Sequence, residues 1–434
     1  MPRPTIPTPK IIADPIYGIF DIRPVLPMVE TEEFQALGDK RQLGMSYLTF
    51  PSATHSRKAH SLGSYHATRE LADRWRKLRL ITEREGDALA GFALYHDIGH
   101  PAFSHVTEDL CRKDNSGLSL DVIRTLRDPI ERCGIDYRLL EKIASGKNPL
   151  ALAVKDRNLG IEKLDYLERD GMTTLLSRPM GIEYLRQHIY FIDGKLAIDE
   201  KAVDSAIEVQ NFYAKMYKNV YLRKASVIAQ RMLQKMVYRL IVRGEISRDD
   251  LPRLTDSELI GMISVSQDEI AKALYGFLKR REFFREAVVL RHRDFVHVGR
   301  APDKATRTFG LSDKEMRKLA GSPALQSKNQ ESLGRLEREI GNAVGLEEED
   351  ILAVPVFAPS RFKPQDILVY SEKRIFVSLR SRYPAHFESM EEIGMAYAAF
   401  RICSIEKNRK LLSSPRAARK ILQCISDFSR QASL

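Results

Sequence analysis

The sequence around the adjacent residues His96 and Asp97 indicates a functional site. They follow an almost wholly apolar run, Ala88 to Tyr95, which is the pattern of a helix without a solvated face. A buried imidazole and a buried carboxylate both need partners, because an unpaired polar group in a protein core costs free energy. A divalent cation satisfies both groups, so the pair predicts a metal site where a core helix ends.

Local signals set the bounds of that core helix. Thr82 and Glu85 have the spacing of a capping box, which satisfies the first backbone N–H groups of a helix. Gly99 and Pro101 stop any continuation past the histidine and aspartate. The sequence therefore predicts a buried helix over about residues 83–97, with its polar pair at the C-terminal end.

Two other segments supply candidate ligands for the same ion. His60 lies on a predicted helix, on a face shared with Ser64 and Leu71, and an acidic residue is available in GIEKLDYLERDG at 160–171. Mixed imidazole and carboxylate ligands suit iron, manganese, zinc or nickel more than calcium. Taken singly, each histidine has an alternative interpretation as a structural core residue.

Composition limits the classes of partner. The chain has 434 residues and a net charge of +11, which favours anionic partners, either polyphosphate ligands or nucleic acid. Charge interrupts every apolar stretch before it reaches a membrane-spanning length, and the N-terminus lacks the apolar region of a signal peptide. The four scattered cysteines indicate neither a zinc ribbon nor a disulfide framework. We expect a cytoplasmic protein without a membrane partner.

The chain divides by pattern into four parts. We predict an extended segment at 1–13, a helical domain at 14–299, a polar and basic mobile linker or insertion at 300–330, and a small α+β lobe at 331–434. In the lobe, short strands are predicted near residues 351, 366 and 374, followed by helices at 389–406 and 415–430. The predicted fold class is mainly α, with a helical core and a small α+β C-terminal lobe.

Five segments resemble, in order, the motifs of HD-domain phosphohydrolases: DPIYG at 14, QLG at 42, FPSATHSRKAHSLG at 50, HDIGHPAFSH at 96 and EKLDYLERD at 162. The combination is most similar to the deoxynucleoside triphosphate (dNTP) triphosphohydrolase branch, which contains bacterial dGTPases and the animal enzyme with a sterile alpha motif. The resemblance implies an HD-domain helical core and one divalent metal ion (Mn, Fe, Zn, Ni, Co or Mg). It also implies conversion of a dNTP and water to a deoxynucleoside and inorganic triphosphate.

The resemblance also assigns roles to single residues. It implies four metal ligands, namely His60, His96, Asp97 and Glu162, the last at a position where the family has aspartate. It implies that His100 and His105 reach the phosphates, and Glu108 is placed to orient His105. The residues expected to contact the nucleotide are Gln42, Leu43, Arg57, Lys163, Tyr166, Asp170 and Tyr221.

The expected contacts with the nucleotide follow from that resemblance. Arg57 and Lys163 would bind phosphate, and Tyr166 would pack under a deoxysugar, excluding a 2'-hydroxyl. Glu162, Tyr166 and Asp170 are spaced by four residues, so they share one face of a helix. The alternative for this segment is a solvated charged helix with one packed tyrosine.

Three interpretations of function remain open from the sequence. The first is dNTP triphosphohydrolysis, the second is hydrolysis of another nucleotide or a phosphodiester at the same site, and the third is a nucleotide-sensing or nucleic-acid-binding protein on a degenerate HD scaffold. By analogy with the family we expect a homo-oligomer with a nucleotide activator. Gly38 stands where the animal enzyme has the arginine that helps to read guanine, so we expect an activator other than a guanine nucleotide.

Overall fold

Helices dominate residues 26–174 in the computed structural model, which describes residues 8–297, 303, 305–357, 365–371 and 375–431. These helices are α1 Leu26–Val29, α2 Glu32–Ala36, α3 Arg57–Lys77, α4 Glu83–Tyr95, α5 His105–Glu108, α6 Asn115–Thr125, α7 Arg127–Arg132, α8 Tyr137–Ala144, α9 Leu152–Lys155 and α10 Ile161–Thr174.

Helix α3 packs against both α4 and α10. It begins where the Ser56 hydroxyl accepts a hydrogen bond from a backbone N–H of the first turn. Helix α4 has the predicted capping box of Thr82 and Glu85 and ends next to His96, which confirms the expected core helix. Trp75 and Phe92 lie in the apolar core that these helices share. The packing brings the candidate ligands of three separate segments to one place.

A second group of helices carries the other wall of the site. They are α11 Ile182–Gln187, α12 Val203–Met216, α13 Lys224–Val242, α14 Asp256–Val265 and α15 Glu269–Lys279, with one π-helical turn at Tyr217–Tyr221 between α12 and α13. Helix α13 packs on α14, α15 and α5 around a second apolar core. The π-helical turn interrupts the regular α-helical spacing of this segment, and with it the directions of its tyrosines.

The remaining elements build one two-stranded sheet, two four-stranded sheets and their covering helices. The strands are β1 Ile11–Asp14, β2 Gly18–Asp21, β3 Ile189–Ile192, β4 Lys195–Asp199, β5 Arg285–His292, β6 Arg307–Leu311, β7 Leu352–Val356, β8 Leu368–Tyr370, β9 Phe376–Ser378 and β10 Ala399–Ser404. The helices are α16 Asp313–Gly321, α17 Gln330–Val344, α18 Leu379–Arg382, α19 Pro384–Tyr397, α20 Glu406–Leu412 and α21 Pro415–Gln431.

The larger C-terminal sheet has the strand order β6-β5-β10-β7, in which β5 and β6 are parallel and β10 is antiparallel to both of its neighbours. Strand β7 contains Pro355 and lies at an edge, as expected for a residue that cannot donate to the ladder. Helices α17 and α21 cover the sheet through a third apolar core. The predicted class, mainly α with a small α+β C-terminal region, is confirmed.

The segment predicted as a mobile linker at 300–330 holds regular structure in its described part. It contains β6 and α16, and α16 begins at a capping box formed by Ser312 and Glu315. Met316, Leu319 and Leu325 are buried, so this polar stretch still contributes apolar side chains to a core. Residues 300–302 and 304 of the prediction lie outside the described residues.

The strands also cross the predicted boundaries at 299 and 331. Strand β5 precedes the first boundary, yet it is a central strand of the C-terminal sheet. Strands β8 and β9 extend the hairpin of β3 and β4, and β8 runs parallel to β4. The helix expected at 389–406 gives way to strand β10 at residue 399, because its residues pair on both sides in the middle of the sheet.

The chain near its beginning is extended, as expected, where it is described. Residues 1–7 of the predicted segment at 1–13 lie outside the described residues, and β1 pairs with β2 as an antiparallel hairpin. Throughout the described ranges, none of the helices combines the length and apolarity that crossing a bilayer would require.

A substitution at Gly63 tests the close approach of α3 to α10. A Cβ atom at this position would overlap the side chains of Asp165 and Arg169, so we expect Gly63→Ala to lower the free energy of unfolding by about 2 kcal/mol. The measurement is urea unfolding followed by circular dichroism. Gly261→Ala on α14 is the control, since no atom lies within 4 Å of its added Cβ and we expect it to stabilise by about 0.5–1 kcal/mol. Unchanged stability in Gly63→Ala would contradict the packing.

Candidate functional site

The side chains of His60, His96 and Asp97 form a buried cluster whose ligand atoms all lie within 4.8 Å of one another. The two Nε2 atoms of His60 and His96 are 3.1 Å apart. An Asp97 carboxylate oxygen lies 3.8 Å from the His60 Nε2, and the other lies 3.4 Å from the His96 Nε2. The structure therefore brings together three of the four predicted metal ligands.

Hydrogen bonds at the far side of each ring decide which ring atoms face the cluster. The His96 Nδ1 donates to the backbone carbonyl of Ala93 at 2.7 Å, and the His60 Nδ1 donates to the Asp165 carboxylate at 2.6 Å. In neutral imidazoles the Nε2 atoms then carry lone pairs and no proton. Two facing lone pairs beside a carboxylate are the donor set of a divalent cation, so these residues fit such an ion.

Asp165 extends the support of His60 away from the cluster. Its carboxylate also accepts two hydrogen bonds from the Arg169 guanidinium, which in turn contacts Asp14 at 2.9 Å. Burial would raise the pKa of Asp165, but the charge of Arg169 and the hydrogen bond from His60 outweigh it and hold the pKa well below its usual range. The sequence analysis missed Asp165, although its spacing of four residues from Arg169 within EKLDYLERD is a detectable signal.

Asp97 is surrounded by groups that favour its ionised form. An Nη of Arg57 contacts one carboxylate oxygen, and the His100 Nε2 lies 3.4 Å from the other. Burial would raise the pKa of Asp97, but His96, His100 and Arg57 outweigh it and lower the pKa well below the usual value. Burial also lowers the pKa of His96 to about 4. At neutral pH the cluster therefore offers a carboxylate and a neutral imidazole, as a metal site requires.

Glu162, the expected fourth ligand, lies outside the cluster. Its carboxylate forms an ion pair with the Lys155 Nζ at 2.9 Å, and the same ammonium is 3.8 Å from Asp97. Burial would lower the pKa of Lys155, but Glu162 and Asp97 outweigh it and raise the pKa. The sequence analysis missed Lys155, because no motif marks the residue and its segment reads as a loop.

The turn after α4 holds the two other predicted histidines in different environments. His105 is exposed and its Nδ1 lies 2.8 Å from Glu108, whereas His100 is buried against Asp97. The two rings meet edge to face at 5.1 Å. The hydrogen bond from His105 lowers the pKa of Glu108 to about 2. His105 is thus open to solvent, and His100 contacts Asp97.

Backbone strain accompanies this turn. Phe103 and Ser104 are consecutive non-glycine residues with φ of 57° and 55°, a conformation that L-residues rarely adopt. The Ser104 hydroxyl accepts a hydrogen bond from the Arg57 Nε at 2.7 Å and donates one to the backbone carbonyl of Arg41. The strained turn therefore fixes the orientation of the guanidinium that contacts Asp97.

A cavity of about 530 Å³ opens next to the cluster. Predicted site residues that line it are Gln42, Leu43, Arg57, His105, Glu162, Tyr166, Asp170 and Tyr221. The opposite wall, which the sequence analysis missed, includes Gln230, Arg231, Gln234, Gln326, Lys328 and Val354–Phe357. This wall comes from α13 and the C-terminal α+β region, and no short motif connects those segments to the site.

Three lining side chains keep buried polar atoms without partners among the described residues. These atoms are the Gln42 Oε1, the Nη2 of Arg57 and the Nη1 of Arg231. Asp170, in contrast, already accepts from the Tyr221 hydroxyl at 2.7 Å and contacts the His55 ring at 2.7 Å. Unpaired buried donors and acceptors at a cavity wall are places where a polar ligand, an ion or water can bind.

Lys163, predicted to bind phosphate, lies away from the cavity. Its ammonium donates to the backbone carbonyl of Arg157 at 2.6 Å and rests 3.5 Å from the centre of the Tyr213 ring. Burial lowers the pKa of Lys163 to about 7. In this arrangement Lys163 supports the helix pair α10 and α12.

Comparison with known families agrees with the geometry of the cluster. Residues 57–145 match the HD domain, and residues 182–310 match the HD associated region. Residues 57–145 therefore resemble an HD domain. The match spans His60, His96 and Asp97, the residues that the structure brings together, and HD domains bind a divalent metal ion.

The sequence identity of this chain to individual relatives is low. An uncharacterized protein of Methanocaldococcus jannaschii is 25% identical over 292 residues, covering 66% of this chain and 61% of that protein. The deoxynucleoside triphosphate triphosphohydrolase SAMHD1 homolog of Dictyostelium discoideum is 27% identical over 246 residues, covering 52% of this chain and 48% of that protein. This chain therefore spans less than two thirds of the length of either relative.

A solved structure supports the fold over nearly the whole chain. The crystal structure of a phosphohydrolase from Bacteroides thetaiotaomicron superposes with a TM-score of 0.69, at 20% sequence identity, and covers 92% of this chain and 100% of that one. At this level of identity the similarity shows a shared fold.

The contact between His105 and Glu108 predicts a pH-dependent contribution to stability. Because the pKa of Glu108 falls from 4.5 to about 2 on folding, its contribution is complete above about pH 4.5 and disappears as the pH falls toward 2. We expect Glu108→Gln to lower the melting temperature near pH 6, and the difference from the native protein to shrink on acidification. Thermal unfolding followed by circular dichroism, from about pH 6 to 3, measures the difference in melting temperature between Glu108→Gln and the native protein.

Glu388→Gln is the control for that series, since this glutamate is exposed on α19 and has no ion pair among the described residues. We expect it to show no such pH-dependent difference. A melting-temperature difference for Glu108→Gln that stays constant down to pH 3 would contradict the pairing.

Proposed function

We propose that this protein is a metal-dependent dNTP triphosphohydrolase that converts a dNTP and water to a deoxynucleoside and inorganic triphosphate. The observation that carries the proposal is one cavity, next to a metal-competent cluster, that is lined by Arg57, His105, Tyr166 and Asp170. These residues supply a cation, a proton-transfer group, an aromatic surface and a hydrogen-bonding carboxylate. A nucleotide with an anionic chain presents the complementary groups.

His60, His96 and Asp97 are the residues that would hold the ion. A divalent cation bound there supplies Lewis-acid chemistry for cleavage of a phosphate ester. Around it, the buried hydrogen bonds at each Nδ1 keep both rings oriented, so the ligand atoms need no rearrangement on loading.

The chain's own residues provide phosphate binding and proton transfer. The unpartnered terminal nitrogen of Arg57 is available to a phosphate oxygen, while its other nitrogens are occupied by Asp97 and Ser104. The exposed His105 ring, oriented by Glu108, can exchange a proton with a bound group. Together they place positive charge and a proton donor at the same end of the cavity.

Tyr166, Asp170 and Gln42 support a nucleotide rather than a simple phosphate ester. They lie on the same cavity wall, and Gln42 retains an unpartnered acceptor. A tyrosine ring packed against the sugar would leave no room for a 2'-hydroxyl. A relative with triphosphohydrolase in its name supports the substrate class, although the matched region covers about half of that protein.

A second candidate function is nucleotide sensing on the same scaffold. The observation that favours it is the Lys155 ammonium, which lies 3.8 Å from Asp97 and adds a positive charge beside the cluster. Such a protein would bind nucleotides without turning them over. The assay below separates the two functions.

The direct test incubates the pure protein with each dNTP and ribonucleoside triphosphate in the presence of Mg²⁺, Mn²⁺, Fe²⁺, Co²⁺ or Zn²⁺. Ion-exchange chromatography of the products resolves inorganic triphosphate from pyrophosphate and phosphate. We expect triphosphate from at least one dNTP. Phosphate or pyrophosphate would indicate another phosphohydrolase activity, and nucleotide binding without any product would favour sensing.

His96→Ala links the activity to the ion. Because this change removes a lone pair that points into the cluster, we expect loss of bound metal and at least a thousandfold loss of turnover together. The measurements are metal content by mass spectrometry and triphosphate release. His188→Ala is the control, since that half-buried ring pairs with Asp199 outside the cavity. Full turnover in His96→Ala would exclude the proposed role of the cluster.

Tyr166→Ala tests the discrimination between sugars. Removing the ring opens the cavity wall, so we expect the ratio of ribonucleotide to deoxynucleotide kcat/KM to rise by about tenfold or more. Steady-state kinetics with a ribonucleotide and a deoxynucleotide that carry the same base measures the ratio. A uniform loss with both substrates would show that the ring has another role.

A further inference from the structure

Lys155 is the last residue of α9 and contacts two carboxylates of the site. Its Nζ is 2.9 Å from Glu162 and 3.8 Å from Asp97. Asp97 belongs to the metal-competent cluster, whereas Glu162 does not. The lysine therefore contacts both the carboxylate that would bind the ion and the one expected to complete its ligand set.

We propose that Lys155 is a positioning residue that holds Glu162 out of the metal's coordination sphere, so that His60, His96 and Asp97 are the only protein ligands. The inference rests on the proposed function, because it takes the divalent cation site as given. It differs from the expectation that Glu162 acts as a fourth ligand.

The cost of breaking the ion pair supports this role. If Glu162 joined the ion, the Lys155 ammonium would lose its nearest counter-ion while lying beside a doubly charged cation. Both side chains are only about one quarter exposed, at 28% for Lys155 and 26% for Glu162, so water screens the repulsion incompletely. The lowest-cost arrangement keeps the lysine and glutamate paired and the ion on the other three residues.

The connection between α9 and α10 keeps Lys155 in place. The Asp156 carboxylate accepts hydrogen bonds from the backbone N–H groups of Asn158 and Leu159, each at 2.8 Å. The Asp156 carbonyl accepts from the Gly160 N–H at 3.1 Å, and a Cβ on Gly160 would overlap this turn. These hydrogen bonds and the close approach at Gly160 hold the turn that follows Lys155.

The pairing of Lys155 with Glu162 also affects the net charge of the metal site. With Glu162 neutralised by Lys155, a divalent ion on two imidazoles and one carboxylate leaves a net charge of +1 in that set. Ligation by Glu162 would reduce this net charge to zero. A positive site with open coordination positions favours the anionic oxygens of a polyphosphate.

The test compares Co²⁺ affinity in four proteins: the native chain, Lys155→Met, Glu162→Gln and the double variant. Competition with a chromogenic chelator measures affinity, and the Co²⁺ absorption bands report the coordination number. We expect Lys155→Met to bind about tenfold tighter, Glu162→Gln about tenfold weaker, and the double variant within about threefold of the native protein.

Lys142→Met is the matched control, because it removes the same charge from an exposed position on α8. We expect it to bind Co²⁺ as the native protein does. Melting temperatures and circular dichroism establish that each variant is folded before its affinity is compared.

The double variant decides the inference. If it binds as weakly as Glu162→Gln, and Lys155→Met matches the native protein, then Glu162 is a ligand and the proposal is overturned. Absence of Co²⁺ binding in all four proteins overturns both the inference and the proposed function. Native Co²⁺ binding without turnover of any nucleotide overturns the proposed function alone.

Discussion

Two imidazole nitrogens facing each other across 3.1 Å are the contact on which the rest of the site depends. Each ring is fixed from behind, His60 by Asp165 and His96 by the carbonyl of Ala93. Those hydrogen bonds determine which ring atoms remain as acceptors, so the ligand character of the cluster is set outside the cluster. Helices α3 and α10 must pack closely for the support of His60 to form, and Gly63 on α3 allows this close approach, whereas Ala93 lies one turn before His96 on α4.

The charged side chains around this contact between the two histidines are paired with one another. Asp97 is buried beside the cations of Arg57 and Lys155, and Glu162 neutralises Lys155. The third neighbour, His100, is an uncharged ring at neutral pH because burial lowers its pKa. A carboxylate that binds a metal must remain ionised in the core, and neighbouring cations keep it so. The same cations would repel a metal ion, so their own counter-ions and hydrogen bonds matter as much as the ligands. The site is therefore a balance of paired charges.

Much of the site is predictable from local sequence, and the failures have physical causes. His96 and Asp97 stand out because an apolar helix ends at them, and the motifs add Arg57 and Tyr166. Lys163 lies in the same motif, yet a neighbouring aromatic ring and a backbone carbonyl draw its ammonium away from the cavity. In the C-terminal region, the polar stretch at 300–330 contains few large apolar residues, but those few reach a core formed by distant segments.

Local sequence accounts for the core helix, its capping box, the mainly α class and the residue types available to a metal, since all of these depend on neighbours a few residues away. Which of these residues meet depends on how distant segments pack together. The two histidines are 36 positions apart, and His60 is 105 positions from the aspartate that orients it. Whether Glu162 faces the ion or Lys155 depends on a turn between α9 and α10. Such choices follow from packing and pairing of charges across the fold, which no local pattern encodes.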